Sequence, residues 1–305
     1  MANSKREIKR IISEIMHCAE NEILNLSVMK KGMTNHSYHF QIKGDGRYIL
    51  RIPGEGTSST INRAEEAAAF RAIRPYNICD APIYFDPNTG YKVTRFLNHI
   101  RVCNPHNEND LLKCMELLRY FHALNLSVPH EFNLTEKITL YEDLYRSNGN
   151  PGSYDDYLRT KANVISLQDY IASIDKSYCL SHIDSVCDNF LFYRDSDRED
   201  EKLQLSDWEY AGMQDPHVDI AMFCIYSSYC KDDCDRLIDL YFKGQCNAET
   251  RAKIYCYIST SGLLWSNWCE YKKCFNVTFG DYATKQYLYA KEFYHHAIEL
   301  IKTIK

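Results

Sequence analysis

Apolar residues recur at Ile8, Ile11, Ile12 and Ile15, the spacing of one helical face, so an amphipathic helix is expected near the start of the chain. Short strand-like runs follow. Residues 37–42 and 47–52 flank Lys-Gly-Asp-Gly, whose Asp-Gly step tolerates the positive φ angles of a tight turn, and they predict a hairpin with 25–30 beside it. Residues 61–74, rich in alanine and charge, predict a helix, and 82–85 and 91–96 predict two more strands around Pro-Asn-Thr-Gly. Three strands, a helix and two strands is the order of the small lobe of a protein-kinase-like fold, and it also fits other α+β arrangements.

Beyond about residue 97 the period turns helical, over 110–124, 136–146, 154–173 and from 216 onward. One interruption stands among these helices. Residues 189–193 and 202–205 are short apolar runs joined by a charged turn, which predicts a second hairpin. The chain contains no internal repeat and no low-complexity tract, so two divisions are expected, 1–97 and 98–305.

Composition narrows the class. The 305 residues are 45% apolar and 13% aromatic, enough to bury a sizeable core. Lys and Arg number 36 against 41 Asp and Glu, a net charge of −5 without a long block of either sign, which makes nucleic acid and anionic membrane poor partners. The charged start lacks the apolar stretch of a secretory signal, and no later segment reads as a membrane span, so a cytoplasmic protein is expected. Thirteen cysteines without zinc-type spacing read as reduced, mostly buried thiols.

The second hairpin carries the candidate chemistry. On its entry side, Ser-His-Ile-Asp-Ser-Val-Cys-Asp-Asn holds His182, Asp184 and Asn189 in the pattern H-x-D-x-x-x-x-N; on its exit side, Leu-Ser-Asp-Trp-Glu-Tyr holds Asp207. Phosphoryl transfer needs a carboxylate to orient the attacking hydroxyl and oxygen ligands to place Mg²⁺ on the phosphates of ATP. Asp184 suits the first role, and Asn189 and Asp207 suit the second. His182 is read as bracing the loop. Asp and Asn are also common turn residues, so any one of them alone would carry little; the full spacing carries the reading.

With these motifs, the chain resembles the bacterial choline kinases within the choline/ethanolamine kinase and aminoglycoside phosphotransferase group. The resemblance rests on Gly-Met-Thr-Asn-His-Ser-Tyr from Gly32, Tyr-Ile-Leu-Arg-Ile-Pro-Gly from Tyr48 and Ile-Asn-Arg-Ala-Glu-Glu from Ile61. It extends through His-Ile-Asp from His182, Asp-Trp-Glu-Tyr-Ala-Gly from Asp207, Asp-Pro-His-Val-Asp from Asp215 and Leu-Trp-Ser-Asn-Trp-Cys-Glu-Tyr from Leu264. It implies an α+β, protein-kinase-like bilobal fold. A small antiparallel five-stranded lobe with one helix would bind nucleotide, and a larger helical lobe would hold the catalytic loop and the acceptor.

The same resemblance implies that Gly32, Thr34 and Asn35 cover the ATP phosphates with backbone N–H groups, although Lys31 stands where relatives often have a further glycine. Arg51 takes the position of the phosphate-binding lysine of protein kinases, and Glu66 would hold it, with adjacent Glu65 as the rival. Asp215 and Asp219 read as carboxylates at a helix start, Asp219 with a second task of supporting the catalytic loop. Trp208, Tyr210, Trp265, Trp268 and Tyr271 include every tryptophan of the chain and suggest an aromatic cage for a quaternary ammonium, with Glu209 or Glu270 adding charge.

The implied activity is therefore choline kinase, making phosphocholine from ATP and choline with Mg²⁺. Alternatives at this stage are a kinase for ethanolamine, an aminoglycoside or a sugar, and a non-catalytic module that binds choline or nucleotide. A hydrolase is disfavoured because no serine or cysteine sits in a nucleophile elbow. Oligomeric state is not readable from the sequence.

Overall fold

The computed structural model describes residues 4–29, 35–54, 57, 59–175, 177–196 and 198–304. Its elements begin with α1 (Lys5–Met16), β1 (Ile23–Met29), β2 (Asn35–Ile42), β3 (Arg47–Pro53), α2 (Arg63–Ile73), β4 (Tyr84–Phe85) and β5 (Lys92–Arg95). There follow β6 (Arg101–Val102), α3 (Glu108–Ala123), α4 (Leu134–Ser147), α5 (Tyr157–Ser166), α6 (Gln168–Ser173), β7 (Cys179–Ser181), β8 (Phe190–Tyr193) and β9 (Lys202–Leu205). The remainder is β10 (Gly212–Gln214), α7 (His217–Tyr226), α8 (Lys231–Phe242), α9 (Ala248–Lys273) and α10 (Tyr282–Ile304). Packing divides the chain into two units, Met1–Arg101 with Leu191–Glu209, and Val102–Phe190 with Tyr210–Lys305.

In the first unit, an antiparallel sheet has the order β1-β2-β3-β5-β4. One face packs Phe40, Leu50 and Val93 against Ile8 and Ile12 of α1, which is the face the helical spacing foretold. The Ser4 hydroxyl caps α1 by accepting from the Glu7 N–H at 3.2 Å. Register sets Arg51 of β3 between Ser37 of β2 and Lys92 of β5. Helix α2 begins at the Asn62 cap, whose side chain accepts from the Ala64 N–H, and this brings Glu65 and Glu66 into its first turn.

Residues 191–209 join this unit through backbone pairing. Leu205 bridges Cys79, and its N–H donates to the Ile78 carbonyl at 2.8 Å. The sequence division at 97 ran all later residues together with the helices, because pairing between segments so far apart leaves no local signal.

The second unit is built around α9, buried without a break from Ala252 through Lys272 and flanked by α4, α7 and α10. A helix apolar or internally paired on all sides is the central one of its bundle. Gly262 permits the approach of α10: a Cβ there would lie 2.6 Å from the Gln286 carbonyl oxygen and 2.8 Å from the Ala290 nitrogen. The helix predicted over 154–173 is two, α5 and α6, because the chain tightens at Leu167, whose N–H turns back to Val164. An unpredicted two-stranded sheet pairs β7 with β10, Ser181 opposite Gly212. Among the described residues no helix is long and apolar enough to cross a membrane.

Candidate active site

The first unit gathers one set of candidate side chains. Arg51 is buried, and its Nη2 donates to Glu66 Oε1 at 2.6 Å. Its Nη1 lies 3.2 Å from Asp207 Oδ1 and 3.5 Å from Glu209 Oε2. Glu66, with no accessible surface, also accepts from Arg63 at 2.7 Å, while Glu65 accepts from Asn62 at the helix start. The partner of Arg51 is therefore Glu66. Burial opposes the charge of Arg51, but Glu66, Glu209 and Asp207 outweigh it and keep the guanidinium protonated.

Asp207 lies two residues past β9 rather than at the strand's end, with φ at 65°. That left-handed geometry is uncommon for a non-glycine residue and sets its carboxylate apart from the strand direction. Burial first, then the charge of Glu209, raises the Asp207 carboxyl above the usual carboxylate range, with Arg51 only partly opposing. Glu209 itself is held below its usual range against burial by Arg51 and Arg63, and it accepts from Asn35 Nδ2 at 3.1 Å. Three carboxylates thus face two guanidiniums. Gly32 and Thr34 lie outside the described residues; Asn35 is the described member of that set.

Trp208 is a core residue of this unit. Its indole has no accessible surface and donates to the Leu205 carbonyl at 2.8 Å, which removes it from the proposed cage.

In the second unit, β7 delivers the chain to His182, Ile183 and Asp184. His182 and Ile183 are fully buried, and Ile183 has φ at 70°, a strained value for a β-branched residue. The Asp219 carboxylate accepts both backbone N–H groups, from His182 at 2.9 Å and from Ile183 at 2.7 Å, and holds that strain. Asp219 also pairs with His122 Nε2 at 2.9 Å, and His122 Nδ1 meets the Tyr241 hydroxyl at 2.8 Å. The Ser185 hydroxyl donates to the Asp219 carbonyl at 2.6 Å. Asp219 is thus tied to the loop on both its carboxylate and its backbone.

Asp184 and Asn189 are half-buried, and Asn189 Nδ2 donates to the Asp184 carbonyl at 2.8 Å and to its Oδ2 at 3.2 Å. Asn189 ends a short turn, Cys187–Asn189, and the strand begins at Phe190. An amide oxygen there is a ligand type that Mg²⁺ accepts. Asp215 does not reach the loop: it pairs with Lys253 at 2.8 Å and accepts from Tyr257 at 3.1 Å, all buried.

The predicted aromatic residues are brought together in part. Tyr210 meets Trp265 edge to face at 5.3 Å, and Trp265 meets Trp268 at 5.6 Å. All three are buried, whereas Tyr271 packs elsewhere, against Tyr141 and Phe275. Three rings that the sequence reading missed continue the series: Trp268 stacks on Phe279 at 5.0 Å, Phe279 meets Tyr282, and Tyr282 meets Tyr226 at 6.0 Å. Phe279, Tyr282 and Tyr226 are half-buried, whereas the tryptophans are buried. Burial raises the Tyr226 and Tyr282 phenols, and at Tyr226 the hydroxyl also donates to Asp188 Oδ2 at 2.7 Å, which adds to the effect. Glu270, the other candidate for charge, is engaged by Lys273 at 2.7 Å and Asn150 at 3.0 Å.

Residues 26–261 match the family model of choline/ethanolamine kinase. The chain belongs to the choline/ethanolamine kinase family. It is 28% identical over 275 residues to Protein LicA of Haemophilus influenzae, covering 84% of this chain and 76% of the relative. Among solved structures, the choline kinase LicA from Streptococcus pneumoniae superposes with a TM-score of 0.81 at 25% identity, covering 96% of this chain and 99% of its own. A LicA complex with AMP gives 0.79 at 26% identity, with 97% and 100% covered. An ethanolamine kinase from Plasmodium vivax shares the fold, with a TM-score of 0.77 at 15% identity over 97% and 92% of the two chains. This family member is an ATP-dependent small-molecule kinase of α+β, protein-kinase-like fold.

Proposed function

We propose that this kinase transfers the γ-phosphoryl group of ATP to the hydroxyl of choline, giving phosphocholine and ADP. The observation that carries the choice of acceptor is the run of half-buried rings Phe279, Tyr282 and Tyr226, which meet one another in series. A quaternary ammonium has no N–H to donate and is held by ring faces. A primary ammonium would instead want carboxylate or carbonyl acceptors rather than ring faces. The description of the Streptococcus pneumoniae neighbour as a choline kinase supports the same reading.

In this reading, Asp184 orients the choline hydroxyl and takes its proton as the oxygen–phosphorus bond forms and the bond to ADP breaks. Asn189 and Asp207 are the residues that would offer oxygen ligands to Mg²⁺, which when bound would neutralise phosphate charge. Arg51, fixed by Glu66, engages phosphate oxygens through its planar fork, and Asn35 belongs with Gly32 and Thr34 at the phosphates. His182 and Asp219 keep the loop in its strained path. Use of ATP fits a cytoplasmic site of action.

The deciding measurement is ADP release with choline, ethanolamine and an aminoglycoside as acceptors. The highest kcat/KM is expected with choline and Mg²⁺, and none with excess chelator. A higher kcat/KM for ethanolamine would overturn the choice of acceptor.

A further inference from the structure

Arg63 is the second guanidinium of the first unit's charge cluster, and neither the phosphates nor the metal account for it. Its side chain is 9% exposed, and its Nη1 lies 2.7 Å from Glu66 Oε2 and 3.0 Å from Glu209 Oε2. It therefore joins the two carboxylates that flank Arg51. Glu66 divides its oxygens, Oε1 to Arg51 and Oε2 to Arg63, while Glu209 Oε2 lies between both arginines. The seat is made for it: Gly90 has φ at 71°, and a Cβ there would stand 2.8 Å from Arg63 Nε and 2.7 Å from Pro53 Cγ.

We infer that Arg63 is a positioning residue for nucleotide binding, which holds Glu209 and Glu66 so that Arg51 stays shared with Asp207. Asp207 and Glu209 compete for Arg51. Arg51 Nη1 is 3.2 Å from Asp207 and 3.5 Å from Glu209, so a small shift moves it from one carboxylate to the other. With Arg63 present, Glu209 has a partner of its own at 3.0 Å. Without Arg63, three buried or half-buried carboxylates would share one guanidinium, and Glu209, the more buried of the two rivals at 2% side-chain exposure against 35%, has the greater need of it. Arg51 would then be drawn from Asp207 and from the path of the phosphates.

The inference rests on the proposed role of Arg51 at the phosphates, and its test separates the two. ADP binding with Mg²⁺ is measured by calorimetry on the full chain, alongside thermal melting and kcat. Arg51→Ala is the control: parental ADP affinity in that variant would overturn the role of Arg51 itself. If Arg51→Ala weakens binding, Arg63→Ala is expected to weaken it by about tenfold or more, the usual effect of losing a supporting partner.

Arg63→Lys keeps the charge without the fork and carries the test should the alanine variant not fold: weakened ADP binding supports the bridge, and parental binding overturns it. Glu209→Gln removes the rival for Arg51, so in that background the loss of Arg63 is expected to cost less than in the parent. Strictly additive losses would overturn the inference, as would Arg63→Ala lowering only the melting temperature with ADP affinity and kcat unchanged.

Discussion

Asp219 grips the backbone of Ile183, accepting its N–H at 2.7 Å where φ stands at 70°. A β-branched residue resists that conformation by about 1 to 3 kcal/mol, so the loop before Asp184 holds its path only because the surroundings over-determine it. One carboxylate supplies two acceptors on adjacent N–H groups and adds a buried histidine behind them.

Asp219→Asn keeps the volume but replaces one acceptor by an NH₂ group that faces a donor. The expected loss is roughly 1 to 3 kcal/mol of unfolding free energy, from one buried donor left unmatched, together with a fall in kcat at little change in ATP KM. Urea unfolding and steady-state kinetics measure both. Parental kcat would show that the strain at Ile183 is irrelevant to turnover.

Half-buried and buried aromatic residues should separate cleanly by readout. Phe279→Ala and Tyr282→Ala are expected to raise the choline KM by the equivalent of about 0.5 to 2 kcal/mol each, the range of a cation–π contact. Trp208→Phe loses the N–H donated to Leu205 and is expected to lower stability by about 1 kcal/mol with choline KM unchanged. A raised choline KM in Trp208→Phe would return that residue to the acceptor site.

The contrast between those residues shows what the sequence could tell. Helical spacing at Ile8, Ile11 and Ile12, the Asp-Gly turn and the charged α2 were local signals, and the sheet of the first unit follows from them. Trp208 misled because the turn at Asp207 has φ at 65°, and no residue type announces a left-handed aspartate. Tyr226, Phe279 and Tyr282 went unnoticed among 24 tyrosines and 13 phenylalanines because they meet through folding, from the end of α7, the segment before α10 and the start of α10. Strands β7 and β10, three residues each, were too short to show alternation. Glu66 and Glu65 could be told apart only by which one faces the sheet.

Acid stability should carry the mark of His217. Burial pushes its pKa from 6.5 down to about 4; Asp215 opposes the shift, and Lys253 and His122 add to it. The folded state therefore refuses a proton that the unfolded chain accepts, so the contribution is present in full above 6.5 and is lost as pH falls towards 4. Over that window the parent is expected to lose up to about 1.4 kcal/mol more per pH unit than His217→Gln. Parallel unfolding profiles for the two would contradict it.

Gly262 sets two effects of known sign against each other. Within a helix, alanine is favoured over glycine by about 1 kcal/mol, so propensity alone predicts that Gly262→Ala stabilises α9. The new Cβ, however, would stand 2.6 Å from the Gln286 carbonyl oxygen and 2.8 Å from the Ala290 nitrogen, and both are backbone atoms of α10 that cannot rotate away. Relief requires the helices to part, which disturbs the bonds from Ser259 to the Ala290 carbonyl and from Gln286 to the Ile225 carbonyl. Overpacking of this kind costs about 1 to 3 kcal/mol, so packing wins and the variant is expected to be less stable. Because α9 carries Trp268 and α10 begins at Tyr282, the same displacement should raise the choline KM while leaving the ATP KM as it was. Thermal melting and two-substrate kinetics test both halves, and a Gly262→Ala protein that melts higher than the parent would show that α10 yields more readily than its backbone contacts imply.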